Sequence, residues 1–381
     1  MTDKPHIQTQ IVQAEIGSDP AFGAVAPPLY TSSTYLWPSV EEKGPYDYGR
    51  TANPNRAGLS KALSILEGGS STVITSSGMS AIDLCLNLIK ADDLIIAPHD
   101  CYGGTHRLLT HRAAQGRVRV LFIDQSDPEA LHEALDEKPA MVLIETPSNP
   151  LMRLVDISKI AKLSKACGAI VVADNTFLSP VRQQPLSLGC DIVVHSTTKY
   201  LNGHSDVVGG AVIAKSAEHG ETLAWWANCA GVTGSPFDAW QTLRGLRTLS
   251  ARMDIQESNA EAIAKYLKKH KAVTKVYYPG LRSDPGYKLM KAQQSGPGAM
   301  LSFELETPAL AAKALNSIEI FQLAASLGGV ESLICQPSTM THRGMAESAR
   351  LEAGITDNLL RLSVGMETEN DLIKALDKAL S

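Results

Sequence analysis

From about residue 60 to residue 215, short apolar runs alternate with helix-length patterns, and this alternation most limits what the chain can fold into. The runs are Thr72–Thr75, Leu94–Ala97, Val118–Ile123, Met141–Ile144, Ile170–Ala173, Ile192–Val194 and Gly210–Ile213. Several are rich in Val and Ile and apolar throughout, as expected of parallel strands buried on both faces. Between them lie helical patterns such as Ala81–Lys90, Pro128–Leu135 and Ile157–Ala166. Strands alternating with helices predict an α/β domain whose mostly parallel sheet is covered by helices.

The flanks read differently. The first sixty residues are rich in Pro, Thr, Ser and Tyr, with little periodicity, and predict an extended arm. After Pro236 one long helical stretch runs to about His270. Beyond it, strands at Ala299–Leu305 and Leu359–Val364 mix with helices at Ala309–Leu315 and Glu369–Leu380, the pattern of a smaller α+β domain. The predicted organisation is an arm over 1–60, an α/β domain over 61–255 and an α+β domain over 256–381. A chain of 381 residues exceeds one ordinary domain, and 44% hydrophobic with 20% charged residues is enough for normal cores.

Charge and composition exclude several classes. A net charge of −5 provides no basic field for nucleic acid. No apolar run reaches the roughly eighteen residues of a membrane span. Met1-Thr2-Asp3-Lys4-Pro5 is followed by no apolar stretch, unlike a secretory leader. The six cysteines stand apart and form no Cys-x-x-Cys pair, which predicts a reduced, cytoplasmic protein. No His-Glu-x-x-His, Walker or Gly-x-Gly-x-x-Gly spacing occurs, and no metal site is expected. Gly203-His204-Ser205-Asp206-Val207 lacks the last Gly of a nucleophile elbow.

Ligands of α/β proteins bind in the loops at the carboxyl ends of the strands. Three such loops carry chemistry. Ser76-Ser77-Gly78-Met79-Ser80 follows the first strand and opens a helix. Small residues there let the backbone approach an anion, and the helix start offers free N–H groups; alone it is equally a simple helix cap. Asp174, in Asp174-Asn175-Thr176, ends an apolar strand, where a carboxylate needs a cation or strong donors. A protonated pyridine nitrogen serves, as does a structural ion pair. Lys199, in His195-Ser196-Thr197-Thr198-Lys199-Tyr200, follows another apolar run, and a partly buried Lys can act as an amine nucleophile. An anion cradle, an acid and an amine in that order are the parts of a pyridoxal-phosphate (PLP) site.

Several further blocks carry a resemblance: Asp47-Tyr48-Gly49-Arg50 with Asn53-Pro54, Ser77-Gly78-Met79, Thr146-Pro147-Ser148-Asn149-Pro150, Asp174-Asn175-Thr176, and Ser196-Thr197-Thr198-Lys199-Tyr200. With them the chain resembles the Cys/Met-metabolism PLP-dependent enzymes, the trans-sulfuration family, over nearly its whole length. The resemblance implies PLP fold type I, small amino-acid substrates and a homotetramer built from dimers. It implies that Lys199 forms the Schiff base and carries protons, and that Asp174 pairs with the pyridine nitrogen. Tyr102 stacks on the ring and moves a proton near the leaving group, and Asn149 lies near the ring hydroxyl. Gly78, Met79, Ser196 and Thr198 hold the phosphate, Thr176 belongs to the cofactor site, and Tyr48 and Arg50 reach the phosphate of the neighbouring subunit. Arg361 takes the substrate α-carboxylate in a bidentate fork, with Asn149 and Ser326 beside it. The blocks Pro98–Gly104, Ala224–Asn228, Gly231–Gly234, Gly328–Leu333 and Thr339–His342 look most like the bacterial γ-synthase branch, where Arg107 would meet a distal carboxylate. Two positions depart from that branch. Thr51 stands where a second Arg is common and Ala325 where a Glu is common, so a lyase acting on cystathionine is the alternative.

Overall fold

The computed structural model describes residues 5–381. The first four residues, part of the stretch read against a leader, lie outside the described residues. Among the described residues twelve strands form, β1 (Ser71–Thr75), β2 (Leu94–Pro98), β3 (Arg119–Ile123), β4 (Met141–Glu145), β5 (Ile170–Asp174), β6 (Ile192–His195), β7 (Gly210–Ala214), β8 (Val273–Tyr277), β9 (Met300–Leu305), β10 (Gln322–Leu323), β11 (Leu333–Cys335) and β12 (Leu359–Ser363). The helices are α1 (Ile7–Val12), α2 (Pro54–Glu67), α3 (Gly78–Cys85), α4 (Gly103–Ala114), α5 (Pro128–Asp136), α6 (Ile157–Ala166), α7 (Ser179–Arg182), α8 (Ala217–Ala230), α9 (Pro236–Leu246), α10 (Leu249–Leu267), α11 (Tyr287–Gln293), α12 (Pro308–Ser317), α13 (Glu347–Glu352) and α14 (Glu369–Leu380). No helix among the described residues is long and apolar enough to cross a membrane.

The chain separates into two compact units, Met1–Leu88 with Asp191–Ser250 and Ile89–Cys190 with Ala251–Ser381. In the first, β7 lies between β1 and β6 and runs antiparallel to both. All five residues of β7 are buried, which Gly-Ala-Val-Ile-Ala permits without a polar atom to satisfy. Helices α2 and α9 pack on each other, and α3 and α8 pack on this ladder. Helix α2 starts inside the segment read as extended, because Asn53 accepts from the Asn55 and Arg56 N–H groups and Pro54 supplies the first turn. The buried Arg56 then donates to the carbonyls of Gly49 (2.5 Å) and Arg50 (3.1 Å), pinning the arm where it enters the helix.

In the second unit β5, β4, β2 and β3 form a parallel ladder in that order. Strands β2 and β4 are buried at every residue, whereas β3, with one neighbour, exposes Arg119 and Leu121. A second sheet runs β10-β11-β12-β9-β8, antiparallel except between β10 and β11. Helix α12 packs on β9, β12 and α14.

Two expected helices are interrupted. The run Ala81–Lys90 is α-helical from Gly78 to Cys85 and tightens to a 3-10 turn at Leu86–Leu88. The long helix expected after Pro236 breaks between α9 and α10, where Thr248 turns back with both its N–H and its hydroxyl on the Gly245 carbonyl. That local side-chain bond competes with helix continuation.

Candidate active site

In the first unit a cradle forms where α3 begins. Ser77 caps the helix by accepting from the Ser80 N–H at 3.1 Å, and the Ser80 hydroxyl accepts from the Ser77 N–H at 3.0 Å. The Ala81 N–H bonds the Ser77 carbonyl, so Gly78 and Met79 keep the free N–H groups of the first turn. Gly78 lies against Ser196; a Cβ at position 78 would come within 2.7 Å of the Ser196 Cβ. A Cβ at Gly210 would overlap the Ser77 carbonyl, and one at Gly209 would lie 2.5 Å from the Thr197 hydroxyl. The Thr198 hydroxyl accepts from the Gly209 N–H at 3.0 Å and donates to its carbonyl at 3.2 Å. These glycines let three backbone segments approach closely beside the Gly78 and Met79 N–H groups of the helix start, an arrangement that suits a phosphate.

Lys199 is half-buried in the turn after β6, its N–H on the Ser196 carbonyl at 3.2 Å and its carbonyl on the Gly203 N–H at 2.8 Å. Behind the turn His195 and Glu67 form a fully buried pair at 2.7 Å. Tyr48 and Arg50 stand on the exposed arm. The Arg50 guanidinium lies 5.5 Å from the Tyr48 ring centre, and its Nε donates to Asn228 Oδ1 of α8 at 3.2 Å. Thr51 reaches the same Asn228 oxygen at 3.4 Å.

The second unit gathers the acids and the guanidinium. Register places Glu145 beside Asp174, each the last residue of its strand. Asp174 Oδ1 accepts from the Thr176 N–H at 2.9 Å, which orients the carboxylate at the strand end. Glu145 Oε2 accepts from the Tyr102 N–H at 2.8 Å and Oε1 from the Asn149 N–H at 3.1 Å. Burial, and then the negative charge of Asp174, hold the Glu145 carboxyl well above the usual range. Tyr102, the N-cap of α4, is 40% exposed, so it is available to a ligand.

Arg361, on β12, is 2% exposed. Its Nη1 donates to Asn149 Oδ1 at 2.7 Å and its Nη2 to the Ser326 carbonyl at 2.9 Å, and its buried Nε has no partner. Ser326 has φ of +143°, a strained backbone for a residue with a Cβ, and the strain presents its carbonyl to the guanidinium. His342 Nε2–H donates to the Asn149 carbonyl at 3.0 Å, and the Thr341 hydroxyl meets its Nδ1 at 2.9 Å. Burial and then the Arg361 charge push the His342 pKa down to about 3, so this histidine is neutral. Arg107 is exposed on α4, its Nη1 3.6 Å from where a Cβ on Gly344 would sit.

Thus the structure joins Gly78 to Ser196 in one unit, and Asn149, Ser326 and Arg361 in the other. Sequence reasoning passed over Glu145, His342 and Arg56. Glu145 had a signal: an acid at the end of an apolar run, directly before Thr146-Pro147-Ser148-Asn149. The residues fit PLP: a donor-lined cradle that a Cβ would fill, a strand-end carboxylate, a half-buried amine and an available aromatic ring.

Comparison with known proteins agrees. Residues 8–381 match the model of the Cys/Met metabolism PLP-dependent enzymes. The chain is 52% identical over 371 residues to the cystathionine gamma-synthase of Escherichia coli K12, spanning 97% of this chain and 96% of that protein. It is 42% identical over 374 residues to the cystathionine beta-lyase of Lactococcus lactis subsp. cremoris MG1363, spanning 98% of each. The crystal structure of the cystathionine gamma synthase of Xanthomonas oryzae pv. oryzae in complex with cystathionine superposes with a TM-score of 0.98 at 50% identity, covering 99% of this chain and 98% of that one.

Proposed function

The chain belongs to the Cys/Met metabolism PLP-dependent enzymes, and from that premise we propose that it is a cystathionine γ-synthase, joining O-succinyl-L-homoserine and L-cysteine into cystathionine with release of succinate. The observation that carries an amino-acid substrate is Arg361. Among the described residues this buried guanidinium meets an amide oxygen and a carbonyl and leaves its Nε unpartnered, so it suits an anion, and a carboxylate fits its planar fork. The higher identity to γ-synthase than to β-lyase supports the synthase branch.

PLP, when bound, supplies an aldehyde for the substrate amine and a ring that withdraws electrons from the α carbon. We assign the cofactor phosphate to Gly78, Met79, Ser196 and Thr198, and the ring nitrogen to Asp174, with Thr176 as the residue that orients it. The Lys199 amine holds the cofactor in the resting enzyme, takes the α proton and later returns it. Arg361, set by Asn149 and Ser326, grips the α-carboxylate and fixes which bond of the α carbon is broken. A β proton leaves next, and then the γ C–O bond breaks and frees succinate. The cysteine sulfur forms the new bond at the γ carbon, and protons return to the β and α carbons. Tyr102 carries a proton near the leaving group, and Arg107 meets the distal succinyl carboxylate. Tyr48 and Arg50 serve the phosphate of a neighbouring subunit in a homotetramer of dimers. The six cysteines, which form no disulfide among the described residues, support a cytoplasmic setting.

The deciding assay supplies O-succinyl-L-homoserine with L-cysteine in one arm and L-cystathionine in the other. Cystathionine formed in the first arm is the expected result. Pyruvate and homocysteine from the second make it a β-lyase, and 2-oxobutyrate with cysteine a γ-lyase; either outcome points to Thr51 and Ala325. Lys199→Ala is expected to abolish turnover and the visible Schiff-base band. An intact band in that variant overturns the assignment of Lys199.

A further inference from the structure

Glu145 lies outside the groups just assigned, yet two of them hang from its backbone contacts. Its carboxyl is buried beside Asp174 and has no cationic partner among the described residues, a costly arrangement that a protein core does not need. Each of its two oxygens meets a different backbone N–H, those of Tyr102 and Asn149. The two contacts lie 43 and four residues away in sequence, so one side chain joins the start of α4 to the loop after β4. A carboxyl is the one side-chain group with two oxygens that can each accept and no N–H. In a glutamine the amide nitrogen would face one of the two donors.

We propose that Glu145 is the positioning residue of the site, a single carboxylate that sets the Tyr102 ring and the Asn149 amide together and, through Asn149, the Arg361 guanidinium. From Glu145 the chain of contacts runs to the Asn149 N–H, then from Asn149 Oδ1 to Arg361 Nη1 at 2.7 Å. His342 closes the other side of Asn149 at its carbonyl, so every polar group of this residue except one amide N–H pair has a fixed partner. Neighbouring Ser148 is tied down separately, its hydroxyl on Asp100 at 2.7 Å, with Arg153 on the same carboxylate at 3.3 Å. The loop is therefore held at Ser148 by one acid and at Asn149 by another. Only the second contact passes on to groups that face a ligand. This inference rests on the proposed roles of Tyr102, Asn149 and Arg361.

The test compares Glu145→Gln with the wild type, both loaded with PLP. The expected result is a KM for the amino-acid substrate raised roughly 10- to 100-fold, since one buried donor loses its acceptor. The circular-dichroism band of bound PLP should weaken, because the ring against Tyr102 is less well set, in addition to any lowering of the melting temperature of the cofactor-free protein that the lost hydrogen bond causes. With Asn149→Ala the effects on KM should be non-additive, because both changes break the same chain. If Glu145→Gln does not fold, Glu145→Asp, which keeps the carboxyl group but is one methylene too short to reach both N–H groups, is read the same way. A lowered melting temperature with unchanged KM and dichroism makes Glu145 merely structural and overturns the proposal. So do KM effects that simply multiply. A wild type that forms no cystathionine defeats the proposed reaction instead, and the dichroism comparison still decides the role of Glu145.

Discussion

Asn149 depends on a histidine that stays uncharged. In the folded chain His342 holds a proton only below about pH 3, against an ordinary 6.5. Between those values the unfolded chain binds a proton that the folded chain refuses. This contribution to stability is therefore complete above the ordinary value and is lost as pH falls towards 3, at about 1.4 kcal/mol per pH unit. His342→Gln, which keeps a donor for the Asn149 carbonyl, is expected to flatten that acid slope. Urea unfolding at pH 7 and pH 5 measures it; equal slopes in both proteins would mean that His342 is protonated in the fold. At this scale, Lys199, Asp174 and Gly78 are proposed from the sequence because each sits in a short motif at a strand end. His342 and Glu145 are not, since what makes them matter is the side chain or N–H they meet, and no spacing encodes that.

Among the elements, α9 shows how a small residue places a functional turn. Where a Cβ on Gly245 would point, the Asn202 carbonyl already stands, so α9 packs directly on the turn that carries Lys199. Gly245→Ala should push α9 and that turn apart and cost at least about 2 kcal/mol, by the logic of overpacking. A denaturation midpoint like that of the wild type would show that the turn yields without cost. The apolar runs anticipated β1 to β7, β9 and β12, most plainly at β2, β4 and β7, which are buried at every residue, whereas β3 exposes Arg119 and Leu121 and β12 carries the buried Arg361. Strands β8, β10 and β11 escaped notice. β10 is two exposed residues, and β8, with one neighbour, keeps Thr274 and Lys275 towards solvent. The break between α9 and α10 was equally hidden, since a hydroxyl turned back on a carbonyl leaves the helical pattern of the sequence intact.

For the whole molecule, the arm gives a test of shared sites. If Tyr48 and Arg50 serve a neighbour, Lys199→Ala and Arg50→Ala subunits, each defective alone, should complement when mixed and reassembled. In a symmetric dimer up to about one quarter of the sites regain both groups. No recovery on mixing would confine each site to one chain. The sequence by itself determined the α/β class, the order of the strand-end motifs and, with them, the cofactor, because buried strands and phosphate turns are local and their chemistry is spelled in consecutive residues. Only the tertiary structure decided what holds the site. Arg361 meets Asn149 across 212 residues of chain, and Glu145 meets Tyr102 across 43. Such contacts come from sheet register and backbone approach, which depend on every element being in place and leave no mark in the residues around either partner.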